Sequence, residues 1–330
     1  MASQLSSPPS ALGPATGVLP ARVYRSRGPW RAAWGRLIHN RMALLGGIIV
    51  LFFVLLAIFG SALAPYDPLH QDLLNLNQAP NAKHWLGTDE VGRDLLSRIM
   101  GGARTAILIA TLVTLISAGL GTVIGLTAAY IGGIVDSVLM RFADLLLAFP
   151  AFLLAAFLNA TLRPPVARRM EAWSATPGFG FLGNREMIDF IVVFGALSLV
   201  GWSGYARLIR SQVLSIRERE YVEAARSIGV STPAILRRHI LPNSIAPVIV
   251  AVSVNFGNAV LSESALSYLG VGVQPPTPSW GQMINANLDQ WRYYPHLILV
   301  PGSVLALLIL GFNFLGDGVA DALNPRQRKA

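Results

Sequence analysis

The sequence has no cysteine and few charged residues. The missing thiols exclude disulfide bonds and thiolate metal sites. Charged residues make up 13% of the 330 positions, whereas a soluble globular domain carries about 25%. A helix needs about 20 apolar residues to cross a ~30 Å hydrocarbon core. Stretches near or above that length, without Asp, Glu, Lys or Arg, are 42–66, 105–135, 145–162, 190–206, 240–262 and 293–316. We therefore predict an all-α, polytopic membrane protein with six transmembrane helices.

The positions of these stretches predict the domain organisation. Residues 42–316 form the membrane domain, preceded by a disordered cytoplasmic tail at 1–29 and an interfacial helix at 30–41, and followed by a cytoplasmic tail at 317–330. The six spans lie at about 42–64, 105–131, 137–160, 190–214, 243–266 and 295–315. The first span could instead be a signal peptide, but it is longer than a signal h-region, so a retained anchor is favoured.

Lysine is almost absent, and this excludes one class of ATPase. A P-loop reads G-x-x-x-x-G-K-[ST], and its lysine reaches the nucleotide phosphates. Here Lys83 precedes His84 and Lys329 precedes Ala330, so neither completes the motif. H-E-x-x-H and G-x-S-x-G are missing as well, and no two histidines are spaced as a metal pair. The chain is predicted to be non-catalytic, with no metal or cofactor site of its own.

The basic residues predict the orientation. Of the 26 Arg and Lys residues, 17 fall on the side that holds both termini. Because positive residues concentrate in cytoplasmic loops, both termini are predicted to be cytoplasmic. The net charge of +9 is therefore interpreted as a topology signal, and no nucleic-acid partner is expected.

The spans themselves carry few functional signals. Gly121-x-x-x-Gly125 predicts close helix packing in the second span. Pro150 predicts a kink in the third, either purely structural or beside a cavity. Ion-coupled carriers place ionisable residues deep in the membrane, but here Glu263 lies near the external end of the fifth span. A hydrogen-bonded structural carboxylate is favoured there over a proton relay.

The cytoplasmic loop at 214–243 is the most informative segment. Residues 217–228 predict a helix in which Glu223 pairs with arginines at helical spacing, and Gly229 predicts its end as the C′ residue. Thr232 and Pro233 predict the N-cap and first turn of a second short helix, which Pro242 is expected to stop. Tyr221, Ala225 and Ile228 are predicted to share one side of the first helix. The loop could simply pack on its own protein, or it could bind a partner.

Several segments resemble one transporter family. Glu223-Ala224-Ala225-x-x-x-Gly229, followed by Leu241-Pro242, resembles the "EAA" coupling loop of ATP-binding-cassette importer permeases. His239 stands where the general consensus has Ile, and this is similar to the peptide/nickel branch. Further similarities to that branch lie at 86–105, 263–281 and 316–326, so the resemblance runs from about 36 to 328. It is nearest to the C-type subunits of dipeptide and oligopeptide importers.

The resemblance implies the type I importer permease fold and a set of partners. These are a homologous second permease in a heterodimer, two ATP-binding cassette subunits that hold ATP and Mg, an extracytoplasmic solute-binding protein and the bilayer of a prokaryotic cytoplasmic membrane. The implied ATPase-coupling residues are Tyr221, Glu223, Ala224, Ala225, Gly229, His239, Leu241 and Pro242.

The implied function is ATP-driven import of di- or oligopeptides or a similar small solute, with nickel, glutathione and oligosaccharides left open. The external segment at 161–189 departs from the family pattern and either alters docking of the binding protein or is functionally silent. The alternatives are an ATP-independent channel or ion-coupled carrier, and a structural membrane scaffold.

Overall fold

The computed structural model describes residues 29–323, which form α-helices joined by loops without any strand in that range. The helices are α1 Pro29–His39, α2 Arg41–Leu63, α3 Leu95–Ile131, α4 Gly133–Ala148, α5 Ala151–Ser174, α6 Arg185–Arg217, α7 Glu220–Ser227, α8 Thr232–Ile235, α9 Leu241–Tyr268, α10 Trp280–Ala286 and α11 His296–Leu323. The predicted tail at 1–29 lies almost entirely outside the described residues, as do the last seven residues of the tail at 317–330.

Five of these helices are long and apolar enough to cross a membrane, namely α2, α3, α6, α9 and α11. The third predicted span is divided into α4 and α5, which meet this criterion only together and are bent by 94°. The predicted kink at Pro150 is therefore a full break. Proline lacks a backbone N–H and disfavours the helical conformation of the residue before it, and Phe149 is extended (φ −86°, ψ 144°).

Several helices extend beyond the predicted spans. α3 begins at Leu95, where Asp94 caps it by accepting a 2.8 Å hydrogen bond from the Ser97 backbone N–H. α5 continues to Ser174 through two prolines, and α6 begins at Arg185, so 161–189 is largely helical rather than a loop. α11 continues through 317–323, which were predicted as tail. Hydropathy locates the apolar part of a helix, whereas capping and packing decide where it ends.

The centre of the bundle is the crossing of α3 and α6. A Cβ atom on Gly121 would lie 2.4 Å from the Tyr205 Cβ, and one on Gly125 would lie 2.4 Å from the Ala206 carbonyl oxygen. Such small residues let two helix backbones approach closely. The packing role predicted for this glycine pair is confirmed.

The short helix α1 packs against the end of α11. The Arg36 Nε donates to the Ala322 carbonyl oxygen at 3.0 Å, and Ala33 is buried. Trp34 and Ile38 are exposed, so the apolar residues of α1 are divided between a protein contact and an outward surface. Asn40 then begins α2, because its side chain accepts hydrogen bonds from the Met42 and Ala43 backbone N–H groups.

Candidate coupling loop and membrane groove

The turn at Gly229 joins the two predicted helices of the cytoplasmic loop. The Gly229 N–H donates to the Arg226 carbonyl at 2.9 Å, and the Val230 N–H donates to the Ala225 carbonyl at 3.1 Å. This is the bond pattern of a Schellman motif, which needs a left-handed residue at C′. Gly229 has φ +80° and meets that need without a Cβ penalty. The predicted C′ role is confirmed.

The prediction that Pro242 stops the second helix is wrong. α8 passes into a π-helical turn, Leu236–Ile240, and then directly into α9, with Pro242 in its first turn. In the π turn the Leu241 N–H donates to the Leu236 carbonyl, five residues back. The wider turn accommodates a proline that would otherwise clash with the carbonyl four residues earlier. The cytoplasmic loop is thus continuous with a membrane helix.

The faces of α7 differ from the prediction. Val222 and Ala225 are buried inside the protein, while Tyr221 and Ile228 are exposed. The predicted side of Tyr221, Ala225 and Ile228 is therefore divided. Glu223 and Ala224 are exposed, as a contact surface requires, but Ala225 supports α7 from within. The predicted Glu223–arginine pairs are also absent, since no ion pair within residues 29–323 involves Glu223.

Two of the predicted coupling residues, which belong to different helices, contact each other near the turn. The Tyr221 and His239 rings lie 6.1 Å apart between centroids, tilted by 52°. The Asn243 side chain donates to the His239 carbonyl at 2.6 Å and links this contact to α9. Leu241 is half-buried and Pro242 is exposed beside it. Of the eight predicted coupling residues, the structure thus places all but Ala225 at least partly at the surface of the loop.

An ion-paired contact between α4 and α6 was missed by the sequence reasoning. The Arg210 guanidinium binds Asp136 through both carboxylate oxygens, at 2.5 and 2.6 Å, and Arg207 binds Asp144 at 2.9 Å. The signal was present, because α4 carries Asp136 and Asp144 eight positions apart and the second half of α6 carries Arg207 and Arg210. Bidentate pairs fix relative orientation, so α4 is held against α6 close to the loop.

On the opposite side, Glu263 is a buried acceptor. Its carboxylate accepts hydrogen bonds from the hydroxyls of Ser267 at 2.8 Å, Ser279 at 2.9 Å and Ser264 at 3.1 Å. These bonds join α9 to the start of α10. These bonds agree with the prediction of a hydrogen-bonded structural carboxylate. A proton relay would need a chain of titratable groups instead. Within residues 29–323 there is also no cluster of three His, Asp or Glu residues that could hold a metal ion.

The ends of the spans on the side opposite the loop at 214–243 are closed by a packed layer. Trp280 is buried, donates to the Ile99 carbonyl at 3.1 Å, and meets Phe53 edge to face with centroids 5.7 Å apart. Arg98, also buried, reaches Gln282 at 3.2 Å and Asp89 at 3.4 Å. The segments near 86–94 and 280–291, which flank different spans in sequence, are thereby held together.

A groove of about 440 Å³ opens in the middle of the bundle. It lies between α3, α6 and α9, and the break between α4 and α5 forms one end. Asn255, Asn258 and Ser262 project from α9 along it. No lining residue is charged. These three polar residues occur at helical spacing within an uncharged stretch of the sequence. The prediction from sequence considered only ionisable residues inside the spans and therefore did not include this polar row.

Three buried hydroxyls in the groove wall, those of Thr114, Ser117 and Tyr205, have no hydrogen-bond partner within the described residues. Thr114 and Ser117 on α3 are each 2% exposed, and their side-chain oxygens accept or donate no hydrogen bond within the described residues. An unsatisfied buried polar group costs about 1–3 kcal/mol. These hydroxyls are thus available to form hydrogen bonds with a molecule in the groove.

Comparison with known proteins identifies the family. The family described as "Binding-protein-dependent transport system inner membrane component" matches residues 121–329, and the "N-terminal TM domain of oligopeptide transport permease C" matches residues 28–80. The chain is 36% identical over 309 residues to the dipeptide transport system permease protein DppC of Alkalihalophilus pseudofirmus, covering 94% of both chains. It is also 36% identical over 301 residues to the glutathione transport system permease protein GsiD of Pectobacterium atrosepticum, covering 91% of this chain and 92% of that one.

A solved structure, the crystal structure of an amino acid ABC transporter with histidines, matches with a TM-score of 0.43 and 15% identity, covering 67% of this chain and 91% of the other. The two family matches and the relatives at 36% identity span both the membrane helices and the cytoplasmic loop. The chain therefore belongs to the family of binding-protein-dependent transport system inner membrane components.

Proposed function

We propose that this chain is the membrane permease subunit of an ATP-driven importer that carries dipeptides, oligopeptides or a related small peptide such as glutathione. The relatives at 36% identity are named for dipeptide and glutathione transport, and both solutes contain peptide bonds. The single observation that carries the proposal is the cytoplasmic helix pair, which is fixed by the Gly229 turn and continuous with α9. A passive channel has no use for such a device.

The chain works with several partners. A second, homologous permease forms a heterodimer with it, two ATP-binding cassette subunits hold ATP and Mg, and an extracytoplasmic binding protein delivers the solute. This chain hydrolyses nothing. Closure of the ATPases moves α7 and α8, and the π turn passes that motion to α9 as a rigid body. The contact surface consists of Tyr221, Glu223, Ala224, Gly229 and His239, with Leu241 and Pro242 at its edge.

The complex lies in the cytoplasmic membrane of a prokaryote, with both termini of this chain in the cytoplasm. The support is the excess of basic residues on that side, 17 of 26. The interfacial position of α1 fits the same arrangement, because Trp34 and Ile38 are exposed at the head of α2.

Reconstitution tests the proposal. Proteoliposomes containing this chain with its permease partner, ATPase subunits and binding protein should accumulate a radiolabelled dipeptide or glutathione only when ATP is supplied on the cytoplasmic side. Co-purification should recover the ATPase with this chain. Uphill uptake by the purified chain alone, or uptake driven by an ion gradient without ATP, would contradict the proposal and favour the ion-coupled carrier.

A further inference from the structure

The groove between α3, α6 and α9 has the dimensions of a site for a small molecule. Its volume of about 440 Å³ lies within the range of ~300–1,000 Å³ typical of small-molecule sites. It also lies at the middle of α9, because Asn255 is close to the centre of a helix that runs from Leu241 to Tyr268. A polar group at that depth faces a cavity and marks a functional site by default.

The polar side chains of α9 form a row along the groove. Asn255, Asn258 and Ser262 are spaced by three and four residues and therefore share one face. The first and last are separated by about 10 Å along the helix, since each residue rises 1.5 Å. An extended chain advances ~3.3 Å per residue, so the row matches about three residues of an extended peptide.

The hydrogen-bonding groups of this row are partly unused. Asn258 donates to the Asn255 side-chain oxygen at 3.3 Å, and the Ser262 hydroxyl donates to the Asn258 backbone carbonyl at 2.8 Å. Within residues 29–323 the side-chain oxygen of Asn258 accepts no hydrogen bond. On the facing wall, the Thr114 and Ser117 hydroxyls are buried without partners. Donors and acceptors thus line both sides of the groove.

We propose that this groove binds the peptide backbone of the transported solute through Asn255, Asn258 and Ser262, without recognising the charge of its side chains. The inference rests on the proposed peptide-import function. Amide and hydroxyl groups pair with the N–H and C=O groups that every peptide shares. The lining offers no carboxylate, ammonium or guanidinium group to favour or reject a charged side chain.

The shape of the wall fits a site that admits different side chains. Gly204 of α6 lines the groove, and a Cβ atom added there would have no neighbour within 4 Å. The apolar remainder of the lining, such as Phe152 and Leu197, can accept side chains without a specific polar partner. In this proposal the binding protein, and not the permease, selects peptides by their side chains.

The proposal that the groove does not recognise side-chain charge can be tested by adding a charged residue to its wall. In the reconstituted transporter, Asn258→Asp should raise the ratio of Ala-Lys uptake to Ala-Glu uptake about tenfold, because the added carboxylate attracts the ammonium group of lysine and repels the carboxylate of glutamate. Asn258→Gln, which keeps the amide, should leave this ratio as in the wild type. The same binding protein serves every variant, so a changed ratio arises in the permease.

Labelling tests occupancy directly. Because the chain has no cysteine, Asn258→Cys introduces its single thiol. A saturating concentration of Ala-Ala should slow labelling of that thiol by a water-soluble maleimide at least about fivefold, whereas Leu269→Cys, at the exposed external end of α9, should be labelled equally with and without the dipeptide. The labelled band is that of this chain, so cysteines of the partner subunits do not interfere.

The outcomes separate the two proposals. If the wild-type complex takes up neither dipeptide, the peptide-import function itself is wrong. If the wild type imports dipeptides but the uptake ratio and the labelling rate do not change, the groove site is wrong. A thiol at 258 that is blocked in the resting transporter with and without dipeptide would also overturn it, because a helix of the second permease or a lipid would then fill the groove.

Discussion

Tyr221 and His239 meet across the turn at Gly229, with ring centroids 6.1 Å apart, although 18 positions separate them in sequence. One belongs to α7 and the other to the π-helical turn that leads into α9. The contact makes the helix pair a unit rather than two independent segments. In the coupling mechanism that we propose, a force applied to α7 reaches α9 through this ring contact and the continuous backbone.

The first prediction concerns the turn beneath these rings. Gly229→Asp should leave ATP hydrolysis by the complex intact but reduce ATP-driven uptake at least about tenfold. Aspartate tolerates φ +80° at a cost of about 1 kcal/mol, so the loop still folds. The new carboxylate, however, lies on the surface that we propose contacts the ATPase. Parallel measurement of phosphate release and solute accumulation in proteoliposomes checks this.

Gly178→Asp is the matched control for that variant. Gly178 also has a positive φ, +89°, and open space around an added Cβ, but it lies in the segment between α5 and α6, outside the loop. It should transport like the wild type. Equal uptake by the two variants would show that Gly229 has no special role in coupling.

The second prediction concerns the crossing of α3 and α6. Gly121→Leu should lower the thermal stability of the purified complex, because even its Cβ would lie 2.4 Å from the Tyr205 Cβ and 2.6 Å from the Trp202 carbonyl oxygen. Overpacking of this kind costs about 1–3 kcal/mol. Gly119→Leu, two residues away with no neighbour within 4 Å, should change the melting temperature little. Equal melting temperatures for the two variants would contradict the close packing.

The third prediction uses Glu263 to separate ATP-driven import from proton coupling. Glu263→Gln keeps an acceptor for the surrounding serine hydroxyls and should retain most ATP-driven uptake, with no change in its pH dependence. Glu263→Leu leaves up to three buried hydroxyls without their acceptor, at about 1–3 kcal/mol each, and should destabilise the contact between α9 and α10. Melting curves and uptake between pH 6 and pH 8 check both variants. Loss of uptake in a stable Glu263→Gln transporter would support a proton relay.

The fourth prediction concerns the volume of the groove. Gly204→Leu should fill space that is open in this structure and reduce uptake of bulky dipeptides such as Phe-Phe more strongly than uptake of Ala-Ala. The control is Gly195→Leu, also on α6 and free of neighbours within 4 Å but outside the groove lining. Competition between the two dipeptides measures the ratio. An unchanged ratio in Gly204→Leu would exclude the groove from the solute pathway.

The sequence predicted the turn of the coupling loop but not the faces of its helices. Gly229 is the C′ residue expected from its position after a helix-forming stretch, because few residues other than glycine accept a left-handed conformation easily. Ala225 was expected at the contact surface because Glu223-Ala224-Ala225 resembles the family's coupling loop, and spacing placed it on one side with Tyr221 and Ile228, yet it is buried beside Val222. Periodicity shows which residues share a face, but the neighbouring helices decide which face turns inward.

The effect of proline on a helix was predicted correctly at Pro150 and wrongly at Pro242. Pro150 breaks the third span, because α4 ends at Ala148 and Phe149 takes an extended conformation before the proline. Pro242 does not break α9, because a π turn forms before it, and Pro164 and Pro165 lie within α5. A local rule gives the cost of a proline in a helix, whereas the surrounding packing decides whether the helix ends or adapts.

The order of residues alone determined that this protein lies in a membrane, that it has no P-loop and that its loop at 214–243 forms a helical pair. Each of these depends on local composition or spacing, and the hydrocarbon thickness makes length and charge decisive. Only the tertiary structure brought Asn255, Thr114 and Gly204 to one groove and Tyr221 to His239. Those relations join residues far apart in the chain, so they arise from helix packing, which no local pattern encodes.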